Sequence, residues 1–117
     1  MNHHKTDFSK TKNHRKILFV CTYNIDRSRT AEDIYSTRQD LEVKSAGTSE
    51  YAATTLNNEL LEWANEVYVM EDMHMQYIKT SFPQHIDKTV VLNIYDSFKR
   101  GNPLLVNLLQ EKLKNKI

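Results

Sequence analysis

Residues 17–33 read ILFVCTYNIDRSRTAED, and this stretch decides the fold class of the chain. Its first four residues, Ile17 to Val20, are all large and apolar, which is typical of a short strand buried on both faces. The apolar residues that follow Ser28 fall at helical spacing and predict a helix from about Ser28 to Arg38. A buried strand that passes directly into a helix is the opening half of a β-α-β unit. The stretch therefore predicts an α/β fold.

The rest of the chain repeats this alternation of strand and helix. Three further strands are predicted, at LEVKSA (41–46), VYVM (67–70) and TVVLNI (89–94). A helical pattern follows each of them, and Pro83 ends the third helix of the chain. Parallel strands joined by helices are covered on both faces. The predicted architecture is a three-layer sandwich with a four-stranded parallel sheet.

The ends and faces of the middle helices can also be predicted. Thr54 and Thr55 stand just before the apolar pattern LNNELLEWAN, so they are the candidate N-caps of that helix. In the helix of EDMHMQYIKTSF, we expect Met73, Tyr77 and Ile78 to face the core.

The last helix begins with a recognisable signal. Asn102 is the predicted N-cap, and Pro103 occupies the first helical position, where its missing N–H costs nothing. The apolar residues of this helix form one stripe that we expect to be core: Leu104, Leu105, Leu108, Leu109 and Leu113.

Length and charge narrow the class of protein. A chain of 117 residues is long enough for one packed core and short for two. We expect residues 1–15 to be a flexible polar N-terminal arm and residues 16–117 to be a single domain. The 16 basic and 15 acidic residues give a formal charge of +1, which argues against a general attraction to nucleic acid or membrane. No window reaches the apolar length of a membrane span, and we expect a cytoplasmic protein.

The cysteine and histidine counts exclude other kinds of site. A single cysteine cannot form a disulfide within the chain. The five histidines show no ligand spacing alongside it, so neither a metal nor a cofactor is predicted. We assign His74 and His85 to the surface. Cys21 is then either a core residue or a reactive one.

The surroundings of Cys21 favour a reactive residue. It lies where a strand passes into a helix, and such loops turn backbone N–H groups toward an anion. A helix N-terminus and a nearby guanidinium both favour the thiolate over the thiol. Arg27 could bind two phosphate oxygens with its planar fork, and Ser28 could donate a hydrogen bond to the sulfur.

The segment CTYNIDRS, after ILFV, resembles the phosphate-binding loop of the low-molecular-weight protein tyrosine phosphatases. The signature of that family is a cysteine, five residues, an arginine and a serine after the first strand. VKSAGT (43–48) resembles the family's second strand and its exit, and VYVMED (67–72) resembles its third strand and the following turn. The resemblance runs from about Lys16 to the final helix. In particular, the chain is similar to a short bacterial branch of predicted tyrosine phosphatases.

The resemblance implies a role for each matching residue. Cys21 would be the nucleophile that forms a phosphocysteine, and Arg27 would hold the phosphoryl oxygens through the transition state. Asn24 would hold the shape of the loop, and Ser28 would support the thiolate. Backbone amides of the loop would bind the phosphate oxygens, and these belong to Thr22, Tyr23, Asn24, Ile25, Asp26 and Arg27.

The family's general acid is an aspartate directly before a proline, in a late loop. The corresponding dipeptide in this chain is taken to be Asn102-Pro103, and an amide cannot donate a proton as an acid does. Asp96 is the best substitute, because it follows the fourth strand and so lies at the same edge of the sheet. The alternative is that Asp96 is a turn residue and Asn102 a helix cap.

Two positions inside the loop depart from the family pattern. Tyr23 stands where larger members often have glycine, and Asp26 stands where many have a second cysteine. Without that cysteine, an oxidised Cys21 has no internal thiol partner. We expect the Asp26 carboxylate to point to solvent. Tyr23 and Tyr51 are the candidates to flank the ring of a phosphotyrosine.

The predicted function is a protein tyrosine phosphatase-like phosphomonoesterase that uses a cysteinyl-phosphate intermediate. Its substrate would be a phosphorylated protein or a small aryl phosphate. The alternative is a pseudophosphatase that binds phosphate or phosphopeptide but lacks the usual aspartate acid. Arsenate reduction, by a related class of enzymes, would need an external thiol in this chain. A plain flavodoxin-like domain would leave the cysteine, arginine and serine as coincidence.

Overall fold

A computed structural model describes residues 14–117 as an open parallel sheet with helices on both faces. Its elements are β1 (Arg15–Cys21), α1 (Arg27–Tyr35), β2 (Leu41–Gly47), α2 (Asn58–Trp63), β3 (Glu66–Val69), α3 (Asp72–Ser81), a 3-10 helix (Pro83–Lys88), β4 (Thr89–Val91) and α4 (Pro103–Leu113). The strand order is β2-β1-β3-β4, and each pairing is parallel. The predicted α/β architecture with a four-stranded parallel sheet is confirmed.

The burial of both faces of β1 explains why the residues from Ile17 to Val20 are all apolar. Ile17, Phe19 and Cys21 point into one core cluster, together with residues of α1 and α4. Leu18 and Val20 point into a second cluster, on the other face, with residues of α2 and α3. Because helices cover both faces, both alternating sets must be apolar.

Two middle helices differ in detail from their predicted form. The N-cap of α2 is Asn57, whose Oδ1 accepts from the Leu60 N–H at 2.8 Å, so neither Thr54 nor Thr55 has that role. In α3 only Ile78 of the three predicted core residues is buried, whereas Met73 is 58% exposed.

Tyr77 is partly exposed as well, and the inward position of α3 is taken by His74. The assignment of His74 and His85 to the surface was wrong, since both are buried. Each ring makes at least one hydrogen bond, which makes burial of a polar side chain tolerable. The Nε2 atom of His85 lies 2.9 Å from Asn58 Oδ1.

The last helix has a narrower core stripe than predicted. Leu105, Leu109 and Leu113 recur every fourth residue and are fully buried, while Leu108 is partly buried. Leu104 is 62% exposed, so its assignment to the core was wrong. The predicted cap is confirmed, because Asn102 Oδ1 accepts from the Leu104 N–H at 2.8 Å.

The ends of the predicted strands shift by a few residues. The fourth strand ends at Val91 rather than Ile94, because Asn93 has a positive φ of 59°. Hydrogen bonds nevertheless continue beyond it, with Leu92 N–H donating to the Val69 carbonyl of β3 and Ile94 N–H to the carbonyl of the next residue, Met70, each at 2.8 Å. Most of the predicted N-terminal arm, residues 1–13, lies outside the described residues, and β1 begins at Arg15. Within residues 14–117, no helix has the length and apolar character needed to span a membrane.

Candidate active site

The loop between β1 and α1 sits at the carboxyl edge of the sheet, directly on the end of β2. Asn24 adopts a left-handed conformation with φ of 58°, which asparagine tolerates better than most residues. Gly47, at the end of β2, allows the close approach. A Cβ atom there would clash with the Thr22 carbonyl oxygen and would lie 2.9 Å from the Asn24 nitrogen.

A chain of hydrogen bonds supports the sulfur of Cys21. Ser28 Oγ lies 3.0 Å from Cys21 Sγ and accepts from Asn24 Nδ2 at 2.8 Å. Because that oxygen accepts a hydrogen bond from Asn24, the hydroxyl can donate its own hydrogen bond to the sulfur. The other Nδ2 proton of Asn24 goes to Ser45 Oγ at 2.9 Å, and Ser45 in turn donates to Glu32. The chain fixes both the loop and the donor that faces the sulfur.

The backbone of the loop offers a set of unused donors. The N–H groups of residues 22–27 make no hydrogen bond to any acceptor among residues 14–117. Consecutive free N–H groups at the start of a helix form a site for an anion. A small cavity of about 50 Å³ opens onto them, lined by Cys21, Thr22, Tyr23, Ile25, Asp26, Arg27 and Asp96.

Arg27 is only 2% exposed, and one edge of its guanidinium is already held. Its Nη1 donates to Glu71 Oε2 at 2.5 Å and to the Ile94 carbonyl at 2.7 Å. The Nε and Nη2 atoms make no hydrogen bond within the described part of the chain. Glu71 and Ile94 thus orient the fork and leave its remaining edge able to bind two oxygens.

His74 lies beneath the loop as a neutral ring. Its Nδ1 accepts from the Glu71 N–H at 3.0 Å, so its Nε2 carries the proton that is donated to Thr22 Oγ1 at 2.8 Å. Burial, reinforced by the charge of Arg27, lowers the pKa of His74 from 6.5 to about 4. The ring therefore stays uncharged beside Arg27 and joins the start of α3 to the loop.

The stability of the protein should depend on the protonation of His74. An unfolded histidine binds a proton below about pH 6.5, whereas the folded one resists until about pH 4. The unfolded state therefore binds more protons in this window, and the folded state loses stability as the pH falls through it, by roughly 3 kcal/mol at most. The free energy of unfolding in urea should fall between about pH 7 and about pH 5, and His74→Gln should show a smaller fall. An equal fall in the variant would contradict this assignment.

Asp96 lines the cavity, whereas Asn102 does not. The Oδ1 atom of Asp96 lies 3.8 Å from Arg27 Nε, and its side chain is 59% exposed. Asn102 caps α4, which is the alternative considered for that residue. The Asp96 carboxylate therefore borders the loop, whereas the Asn102-Pro103 dipeptide lies at the start of α4.

The remaining candidate residues are divided between the cavity and its surroundings. Asp26, expected to point to solvent, is partly buried, and its Oδ1 accepts from the Arg100 N–H at 2.9 Å. Tyr23 lines the cavity and is 49% exposed, whereas Tyr51 is not among the lining residues.

Sequence reasoning did not single out Ser45, Glu71 or Glu32. Ser45 lies within the VKSAGT segment and Glu71 within VYVMED, both of which carried the resemblance. These segments could have pointed to them. Nothing in the spacing of Glu32 indicated that it would accept from Ser45.

Comparison with known proteins identifies the family to which the chain belongs. Residues 16–92, more than half of the chain, match the family model described as low molecular weight phosphotyrosine protein phosphatase. The chain belongs to that family. The matched residues include the loop between β1 and α1, α1 itself and Glu71, whereas Ile94 and Asp96 lie beyond them.

Individual members of the family agree with this assignment. A protein-arginine-phosphatase from Geobacillus stearothermophilus is 30% identical, in an alignment that covers 74% of this chain and 75% of the relative. The solved structure of the YwlE arginine phosphatase from the same organism is 27% identical, covers 87% of this chain and 92% of that one, and superimposes with a TM-score of 0.68. Wzb from Vibrio vulnificus, in complex with benzylphosphonate, is 21% identical over 87% of this chain and 96% of its own, with a TM-score of 0.73, and so supports the fold alone.

The family and its members make this protein a phosphatase of the class that uses a cysteine nucleophile. Its substrate class is a phosphorylated protein or a phosphorylated small molecule. The alternative of a binding module without turnover is not favoured.

Proposed function

We propose that this phosphatase transfers a phosphoryl group from an aryl phosphate such as phosphotyrosine to Cys21 and then to water. The observation that carries the proposal is the cavity over the loop. There one sulfur, one half-free guanidinium, unused N–H donors and the aspartates Asp26 and Asp96 border the same small space.

In the first step the Cys21 thiolate attacks phosphorus, the S–P bond forms, and the bond from phosphorus to the leaving oxygen breaks. Ser28 supports the thiolate through the 3.0 Å contact with Cys21 Sγ. The transferring group spreads negative charge over its three equatorial oxygens. The N–H groups of residues 22–27 and the free edge of Arg27 would bind those oxygens without rearranging at the moment of reaction.

Asp96 is proposed as the general acid of the first step. A protonated carboxyl at the rim would give its proton to the leaving oxygen, so that tyrosine departs as a neutral phenol. In the second step the same carboxylate would take a proton from the water that attacks the phosphocysteine. Inorganic phosphate leaves, and the Cys21 thiolate is regenerated.

An aromatic substrate suits the mouth of the cavity. Tyr23 and Ile25 line it and are 49% and 57% exposed. Their apolar surfaces would contact the ring of a phosphotyrosine. Tyr51 is 81% exposed on the neighbouring loop and would contact the substrate chain farther from the phosphate.

Phosphoarginine is a second candidate substrate. The relative that is 30% identical is a protein-arginine-phosphatase. Two carboxylates, Asp26 and Asp96, line the cavity and could accept from guanidinium N–H groups. Values of kcat/KM for two peptides of one sequence, carrying phosphotyrosine or phosphoarginine, would separate the candidates. The apolar rim favours phosphotyrosine, and a higher value for phosphoarginine would reverse the order.

Replacement of Asp96 tests the proposed acid. Asp96→Asn should lower kcat/KM for phosphotyrosine by roughly 10²-fold, because the phenolate would have to leave without a proton. The loss for p-nitrophenyl phosphate should be about tenfold smaller, since nitrophenolate leaves readily unprotonated.

Asp87→Asn is a suitable control, because Asp87 is an exposed aspartate in the 3-10 helix. It should leave both substrates unaffected. Equal losses for the two substrates in Asp96→Asn would remove Asp96 from the role of acid.

A thiolate nucleophile without a partner thiol in the chain is best preserved in a reducing compartment. We therefore place the enzyme in the cytoplasm.

A further inference from the structure

The segment from residue 92 to residue 102, which carries Asp96, is tied to the phosphate loop and to α1 at its far end. The Arg100 N–H donates to Asp26 Oδ1 at 2.9 Å, and the Gly101 N–H donates to Thr30 Oγ1 at 3.0 Å. The Thr30 hydroxyl donates in turn to the Asp26 carbonyl at 2.7 Å. Two successive backbone N–H groups of the segment thus donate to side chains at the start of α1.

The side chain of Arg100 adds a two-point contact to the same helix. Its Nε and Nη2 atoms each lie 2.8 Å from an oxygen of Asp33, one on each side of the carboxylate. Such a paired contact fixes orientation as well as distance. We call Asp26, Thr30, Asp33, Arg100 and Gly101 the loop clamp.

A second attachment lies on the near side of Asp96. The Ile94 carbonyl accepts from Arg27 Nη1 at 2.7 Å, and the Ile94 N–H donates to Met70. Asp96 stands between these two attachments, two residues after Ile94 and four before Arg100. Its own carboxylate makes no hydrogen bond to any of residues 14–117, and its contact with Arg27 Nε is a long ion pair of 3.8 Å. The attachments on either side therefore hold the segment more firmly than the Asp96 side chain does.

We propose that Asp26 and Arg100 are positioning residues for protonation of the leaving group, because they hold the Asp96 segment against the phosphate loop. This inference rests on the proposed function, in which Asp96 donates that proton. It also assigns a role to Asp26, at the position where many family members carry a second cysteine. Neither residue needs to touch the reacting atoms.

Loss of the loop clamp should affect the position of Asp96 more than the folding stability of the protein. Exposed ion pairs usually contribute little to folding stability. Loss of the Asp33–Arg100 pair should therefore leave the fold intact while loosening the segment. A loosened general acid is misplaced on the scale of an ångström, which can reduce a catalysed step by up to about 10²-fold.

The test compares leaving groups. Arg100→Ala should lower kcat/KM for phosphotyrosine about tenfold and that for p-nitrophenyl phosphate about twofold or less. In the Asp96→Asn background, the same Arg100→Ala change should have almost no further effect on phosphotyrosine, because its action passes through Asp96. Arg38→Ala is the matched control. Arg38 forms an equally exposed two-point pair with Asp40, before β2 and at the opposite end of that strand from the loop.

Two changes at Asp26 give an independent measurement. Asn keeps the oxygen that accepts from the Arg100 N–H, so Asp26→Asn should retain the wild-type ratio of the two kcat/KM values. Asp26→Ala removes the acceptor and should change the ratio in the same direction as Arg100→Ala.

The outcomes separate this inference from the one on which it rests. If Asp96→Asn changes the ratio of the two substrates but Arg100→Ala and Asp26→Ala do not, the clamp is overturned and the acid remains. The clamp is also overturned if Arg100→Ala acts equally in both backgrounds. If Asp96→Asn itself leaves the ratio unchanged, the acid assignment fails and the clamp fails with it.

Discussion

Cys21→Ala is expected to lower kcat for aryl phosphate hydrolysis by roughly 10⁴-fold or more, because the variant lacks the sulfur that takes the phosphoryl group in the proposed mechanism. Cys21 is the only cysteine of the chain, and its sulfur faces the loop donors at the end of β1. Steady-state hydrolysis of p-nitrophenyl phosphate measures the loss. This substrate is the stringent choice, since its leaving group needs the least help.

A folded but inactive variant is distinguished from an unfolded one by its affinity for phosphate. Alanine at this position leaves the loop N–H groups and Arg27 in place, so inorganic phosphate should still raise the melting temperature of the variant. Residual hydrolysis within about tenfold of wild type would contradict the assignment of Cys21 as nucleophile.

Arg27→Lys is expected to lower kcat/KM by about 10³-fold, although it preserves the positive charge. Lysine can still pair with Glu71, which keeps a partly buried carboxylate from being left without a partner. It cannot offer the Nε and Nη2 edge that would bind two phosphoryl oxygens while Nη1 is held by Glu71 and Ile94. The loss should appear for good and poor leaving groups alike, in contrast to the losses at Asp96 and Arg100.

Arg29→Lys is the matched control, because Arg29 lies two residues away on the same helix and does not line the cavity. It should retain nearly full activity. A loss of less than about tenfold in Arg27→Lys would mean that a charge alone suffices at this position and that the oriented fork is not needed.

The local order of the chain was predictable where one stretch of sequence decides it. The apolar run before Cys21 predicted β1, and the residues after Ser28 predicted the helix that follows the loop. Asn102 was predicted as a cap because its partner, the Leu104 N–H, is two residues away. Each of these features depends on neighbours in the sequence.

The missed features depend on residues far apart in the chain. Glu71 meets Arg27 across 44 residues, and Asp26 meets Arg100 across 74. His74 was placed on the surface because histidine is polar, and only the fold brings Thr22 to its Nε2. Leu104 was placed in the core by helical spacing alone, whereas every fourth residue from Leu105 already fills the space above the sheet.

The proposed general acid illustrates both sides of this limit. The aspartate-proline pattern directed attention to Asn102, which proves to be a helix cap. Asp96 borders the cavity because the segment after β4 turns back over Arg27, with the Ile94 carbonyl held by that guanidinium. The position of Asp96 after the fourth strand predicted this edge of the sheet, whereas the contact between Ile94 and Arg27 joins residues 67 apart in the chain and has no local sequence signal.

The most direct test of this account is to trap the phosphorylated enzyme. Wild-type protein and Cys21→Ala are mixed with a phosphotyrosine peptide and quenched in denaturant within the first turnover, and their peptides are mapped by mass spectrometry. One phosphoryl group is expected on the peptide that contains Cys21 in wild type, and none in the variant. Turnover without any phosphorylated peptide, or a phosphoryl group on another residue, would contradict it.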